Sequence, residues 1–149
     1  MLRISTKGRY GVRFMLELAL QYGNGPVYLK QIAENQDISD NYLSQLIIPL
    51  KSAGLIIASR GAHGGYILAR EPGAINLREI VEALEGPIAV VECVTAPIIC
   101  KKSESCAARD VWSSASAKFA EYLQSTTLAD LAKQEHDKHK KKFAGRKKQ

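Results

Sequence analysis

Residues 27–68 read VYLKQIAENQDISDNYLSQLIIPLKSAGLIIASRGAHGGYIL, and this stretch decides the fold. Leu29, Ile32 and Ala33 recur at helical spacing, so a first short helix has one apolar face. Asn35-Gln36-Asp37-Ile38 breaks that pattern. Ser39 then supplies an N-cap, because its hydroxyl can accept from the free amides of the next turn. Beyond it Leu43, Leu46, Ile47 and Leu50 repeat at i, i+3, i+4 and i+7, which makes one buried stripe. Asn41, Ser44, Gln45 and Lys51 take the opposite face, and Gly54 stops the helix. Pro49 removes the bond to the Gln45 carbonyl, which predicts a kink or an early helix end. Two helices, a turn of a few residues and a polar outer face on the second are the pattern of a helix-turn-helix.

That outer face has the residue types that read duplex DNA. Asn and Gln pair with adenine edges, Ser with either kind of group, and Lys with phosphate. A solvated helix face has the same composition, so the neighbouring segment decides. Leu55–Ser59 and Tyr66–Ala69 read as two strands, with Arg60-Gly61-Ala62-His63-Gly64-Gly65 between them. A hairpin directly after a candidate recognition helix is a wing. Its glycines allow close backbone approach to a groove, and Arg60 and His63 are cations that suit a narrow minor groove.

The chain has 149 residues and 46% hydrophobic content, enough for one domain with a core. No apolar run reaches membrane-spanning length, and the first residues lack a signal-peptide core, so a cytoplasmic location is expected. The net charge of +6 is unevenly spread. Residues 133–149 hold 8 Lys/Arg against 2 Asp/Glu, 1–70 hold 8 against 4, and 71–132 hold 5 against 9. A basic head, an acidic middle and a basic tail suit a DNA-reading half joined to a sensing or dimerising half.

Ser5 or Thr6 caps a first helix running to about Tyr22, weakened by Gly8 and Gly11, which permit close packing or a phosphate contact near Lys7 and Arg9. After the hairpin, Asn76 and Glu79 form a capping box for a helix with Ile80, Val81 and Leu84 on its apolar face. Residues 88–106 show no periodicity and read as a long loop. Ala107 to about Leu123 reads as a helix with Val111, Ala115 and Phe119 or Tyr122 on one side. A last short helix runs from Leu128 to about Gln134, and the charge run beyond it reads as disordered.

The three cysteines, Cys93, Cys100 and Cys106, all lie in the loop. An odd number excludes a complete disulfide framework, and the spacing is not that of a zinc knuckle. Three thiolates converging from a loop can hold an iron–sulfur cluster if a fourth ligand arrives from elsewhere. Redox-active thiols and inert cysteines are the alternatives, and Lys101, Lys102 and Arg109 nearby favour thiolate character.

Ser5-Thr6-Lys7-Gly8-Arg9-Tyr10-Gly11, Tyr42-Leu43-Ser44-Gln45-Leu46, and Gly54-Leu55 through Arg60-Gly61-x-x-Gly64-Gly65-Tyr66 resemble the winged-helix repressors typified by the iron–sulfur regulator IscR and the cysteine-metabolism regulator CymR. The resemblance runs from Met1 to about Leu131. It implies a homodimer, joined through the helix at 107–123, that binds palindromic promoter DNA. It implies that Cys93, Cys100 and Cys106 match the cluster cysteines of IscR-like members, with one extra residue between the first two. The cluster expected is 2Fe–2S rather than 4Fe–4S. The fourth ligand is unassigned: IscR has a histidine three residues after the last cysteine, and Arg109, which cannot ligate, stands there. The partner-chain position that supplies a ligand in other members is Gly8 or Arg9. Ser44 replaces a base-reading Glu of IscR. The head resembles CymR more closely, and CymR lacks the cysteine triad.

The reading is therefore a mainly α chain with a small β-hairpin wing: a winged helix-turn-helix over 1–86, a cysteine-bearing sensor loop over 87–106, a dimerisation helix and terminal helix over 107–135, and a basic disordered tail over 136–149. Asn41, Ser44 and Gln45 are expected to meet bases; Lys7, Tyr42 and Lys51 phosphates; Arg60, His63 and Gly64 the minor groove. The function expected is a dimeric repressor sensing cluster status. The alternative is a regulator of the CymR type, controlled by a partner metabolic enzyme or by thiol oxidation. Catalysis is not expected, because no Ser/His/Asp set, phosphate loop or carboxylate pair stands out.

Overall fold

In the computed structural model the described residues are 4–61 and 64–146, with side chains through 142. Helix α1 spans Thr6–Leu20, and the Ser5 hydroxyl caps it by accepting from the amides of Lys7 and Gly8. Helix α2 is Leu29–Gln36 and α3 is Asp40–Ser52. The turn between them is closed by Asp37 in the left-handed region (φ 53°), and Ser39 caps α3 by accepting from the Tyr42 amide at 3.3 Å. The apolar stripes meet as their spacing predicts. Phe14, Met15, Leu18, Ile32, Leu43, Leu46 and Leu50 are all 2% exposed or less. Each such burial contributes about 1.5–3 kcal/mol, which is what holds helices this short together.

Of the kink or early end expected at Pro49, the early end does not occur. The helix continues to Ser52. Pro49 falls in the last turn, where only one internal bond is lost, and its own carbonyl still accepts from Ala53 N at 3.0 Å. Burial of Leu46, Ile47 and Leu50 around it offsets that loss. Strands β1 (Ile56–Ser59) and β2 (Gly65–Leu68) form the antiparallel hairpin, with Ile56 opposite Leu68 and Ser59 opposite Gly65. Val27 adds a bridge, exchanging both backbone bonds with Tyr66 at 2.9 Å.

Helix α4, Leu77–Glu85, starts with the complete Asn76/Glu79 capping box. Residues 88–106 are not one irregular loop. They contain helix α5 (Glu92–Thr95) and two 3₁₀ turns, Pro97–Ile99 and Ser103–Ser105. Such short turns leave no periodicity to read, and Pro97 preorganises the first of them. Helix α6 is Ala107–Ser125. Its end returns to the core, where Leu77 N donates to Thr126 O and Leu128 N to Ile75 O, both at 2.9 Å. The last helix, α7, runs Leu128–Arg146 instead of stopping near Gln134. Part of the expected disordered tail is thus helical; residues 147–149 lie outside the described residues. Lys, Gln, Glu and Ala are good helix formers, and a Glu135–His139 pair at 3.1 Å spans one turn.

Helix α1 crosses α4 at two glycines. A Cβ on Gly11 would lie 2.0 Å from Leu84 Cδ1, and Leu84 is itself 4% exposed. In an open helix Gly→Ala gains about 1 kcal/mol. Here overpacking costs about 1–3 kcal/mol, so Gly11→Ala is expected to lower stability, read as a reduced denaturation midpoint at unchanged m-value.

Candidate nucleic-acid interface and cysteine segment

The burial of Leu43, Leu46, Ile47 and Leu50 fixes how α3 is rolled, and the roll decides what faces outward. Asn41, Ser44, Gln45 and Lys51 are all exposed. The Ser44 hydroxyl donates to the Asp40 carbonyl at 2.8 Å, so toward solvent it offers lone pairs. Tyr42 differs from the others. It is half-buried, and its ring meets Tyr10 of α1 edge-on at 5.6 Å between centroids. Lys7, in the first turn of α1, is exposed.

A fifth side chain shares the outer face of α3 and escapes a reading of the sequence for polar groups. Ile48 lies seven residues after Asn41 and is 70% exposed, against full burial of its neighbours on the other face. The signal is present: position 48 continues the 41, 44, 45 series, and an isoleucine there is out of place on a merely solvated face.

In the hairpin, Arg60 is exposed and Gly64 half-buried; His63 lies outside the described residues. The glycines have reasons internal to the fold. A Cβ on Gly65 would come 2.6 Å from the Val27 carbonyl oxygen, one on Gly64 2.9 Å from that of Ser59, and Gly61 has φ 124°. Glycine content here is therefore a requirement of the turn and of its docking on Val27, and Arg60 is the described side chain at the tip with chemistry for a groove.

Cys93 sits in α5, Cys100 follows the first 3₁₀ turn, and Cys106 precedes α6. Cys100 is exposed and the other two are half-buried; all three are free thiols. Among the described residues, no three His, Cys, Asp or Glu side chains come together in a group that could hold a metal ion. Sequence proximity does not produce convergence, because a 3₁₀ turn separates each successive pair of thiols. Arg109 donates from Nε to the Cys93 carbonyl at 2.9 Å, and buried Ser116 accepts from Val90 N at 3.0 Å while donating to Trp112 O at 2.7 Å. Those bonds moor the segment to α6. In the sequence Arg109 reads as a cation near the thiols and not as a donor to their backbone, and Ser116 does not stand out in a helix so rich in Ala and Ser.

Among the described residues no helix is long and apolar enough to cross a membrane. A family model described as Rrf2, iron-dependent transcriptional regulator, matches residues 4–134. The HTH-type transcriptional regulator CymR of Bacillus subtilis is 47% identical over 131 residues, covering 88% of this chain and 90% of that protein. The solved structure of CymR, the global cysteine regulator of B. subtilis, superposes with a TM-score of 0.77 and covers 89% of this chain and 98% of that one. The IscR of T. potens superposes with a TM-score of 0.71 at 45% identity, covering 89% and 88%.

The exposures order the thiols by access. Maleimide labelling of the reduced protein, followed by peptide mass spectrometry, is expected to modify Cys100 first and Cys93 and Cys106 later. Equal rates would mean that the segment opens as a unit.

Proposed function

The chain belongs to the Rrf2 family of transcriptional regulators, and from that premise we propose that it is a dimeric repressor that lays α3 in the major groove of palindromic promoter DNA. The observation that carries this reading is the outer face of α3, exposed and polar while its opposite face is core. Asn41, Ser44 and Gln45 read base edges, Ser44 as an acceptor. Lys7, Tyr42 and Lys51 contact phosphates, and Arg60, His63 and Gly64 enter the minor groove. Ile48 joins the reading face, where a branched apolar side chain suits the C5-methyl of thymine.

The second copy docks along α6. Only Ser116, Ala120 and Leu123 of this helix are buried, whereas Val111 (59%), Trp112 (45%) and Tyr122 (67%) are exposed. Large apolar side chains left in water along one helix support a helix-to-helix interface.

The segment 87–106 is the sensor in this reading. Its cysteine pattern supports an iron–sulfur cluster on Cys93, Cys100 and Cys106, 2Fe–2S rather than 4Fe–4S. The residues as they stand in one chain do not fit such a cluster, because the thiols do not converge and Arg109, engaged with Cys93, offers no ligand. That same observation favours a second reading, control of the CymR type by thiol oxidation or by a partner enzyme, which needs no convergence.

Anaerobic purification with iron and sulfide counts separates the two. Bound iron and sulfide with visible absorption, lost in Cys93→Ser, supports the cluster. Colourless protein whose DNA affinity changes on oxidation, and returns with a thiol reductant, supports the second reading. For the interface, Gln45→Ala is expected to weaken promoter binding by about 1–3 kcal/mol while leaving scrambled duplex unaffected. Lys51→Ala is expected to weaken both and to lower the salt slope by about 1. Replacing thymines singly by deoxyuridine should cost affinity at one position in the wild type and nothing there in Ile48→Ala.

A further inference from the structure

Helix α1 carries a carboxylate where its inward face should be apolar. Glu17 lies between Phe14 and Leu18 and is 6% exposed. An ionised group does not stay buried without donors. Its two oxygens accept from Asn35 Nδ2 at 2.7 Å and from Gln36 Nε2 at 2.8 Å. One turn earlier, Arg13 grips the same glutamine from the other side. Its Nε donates to Gln36 Oε1 at 2.9 Å, and its Nη2 donates to the Gln36 main-chain carbonyl. The Gln36 amide therefore bridges an anion and a cation. Gln36 is the last residue of α2, directly before Asp37 and the turn into α3. The Arg13 guanidinium also lies 5.2 Å from the Tyr10 ring centroid, and Tyr10 packs on Tyr42 beside Asn41.

We infer that Glu17 and Arg13 are positioning residues for base recognition: they fix the offset and tilt of α3 without touching DNA. The inference rests on the reading of α3 as the base-reading helix. Apolar packing would hold α2 against α1 and still tolerate slip. Hydrogen bonds have direction as well as distance, so two amides on a carboxylate and a guanidinium on a carbonyl define one docking of the turn. Bidentate base contacts need that docking. Phosphate contacts made by long cationic side chains do not. Loosening the network therefore costs sequence discrimination before it costs general DNA affinity.

The test uses the full chain and two duplexes, promoter and scrambled, at one salt concentration, with denaturant melts alongside. In Glu17→Gln one amide faces another amide, donor against donor. In the double variant Glu17→Gln/Gln36→Glu the charge changes sides: the amide placed on α1 accepts from Asn35 and donates to the carboxylate placed at the end of α2, and that carboxylate keeps Arg13. Glu17→Gln is expected to reduce the promoter-to-scrambled affinity ratio about tenfold, with scrambled binding and its salt slope unchanged. The double variant is expected to restore the ratio. Arg13→Lys keeps the charge but loses the fork, and is expected to reduce the ratio without unfolding the chain. Gln45→Ala is the control. If it reduces the ratio while Glu17→Gln and Arg13→Lys do not, or if the double variant fails to recover, the inference is overturned and α3 still reads bases. If Gln45→Ala leaves the ratio unchanged, the reading of α3 falls and the inference with it.

Discussion

Helix α1 approaches α4 so closely at Gly8 and Gly11 that a methyl group on either would overlap atoms of Glu85 or Leu84. At the start of the same contact, Ser5 donates to Glu85 twice, from its amide at 3.0 Å and its hydroxyl at 2.9 Å. This crossing lets one short helix serve two sides. Phe14, Met15 and Leu18 close over α2 and α3, while the glycine edge lies on α4. Had the edge carried side chains, the two helices would have stood further apart. The energy of the arrangement is hydrophobic burial. Its accuracy comes from a few directional bonds at its ends.

The parts of the molecule that are legible in sequence are those in which one face is buried and the other is not. The stripes of α3 and α4, the caps at Ser5, Ser39 and Asn76, and the hairpin all follow from periodicity and local hydrogen bonding, which residues report individually. Three features depart from expectation for physical reasons. Pro49 breaks one bond, yet buried neighbours carry the helix past it. The 88–106 segment folds into turns too short to have a period. The lysine-rich stretch is helical as far as Arg146 because propensity acts even on residues open to solvent. Within the site, Asn41, Ser44, Gln45 and Lys51 are legible because exposure follows from the buried stripe. Glu17 is hard to place, since a carboxylate on an apolar face gives notice that it needs partners without naming them, and those partners lie 18 and 19 residues away.

The head and the cysteine segment are held by different forces, and the stretches of chain they lie in differ in charge as well. The head is basic and built on a continuous apolar core. The cysteine segment lies in the acidic stretch of the chain, is largely exposed, and is tied to α6 by the Arg109 and Ser116 bonds. Ile98 within it is 95% exposed. Such a segment costs little to rearrange compared with the head. Any rearrangement of the chain is therefore least resisted there.

Gly86, with φ 85° and open space around it, stands between Glu85 and the cysteine segment. It is a fixed bend set next to a latch. A side chain there would meet no neighbour yet be strained by the positive φ, and Pro87 after it restricts the backbone further. Anything that pulls on Glu85 pulls also on the first turn of α1, through the two Ser5 bonds. The backbone angle of this one residue therefore sets the direction in which the chain leaves the α1–α4 crossing for the cysteine segment.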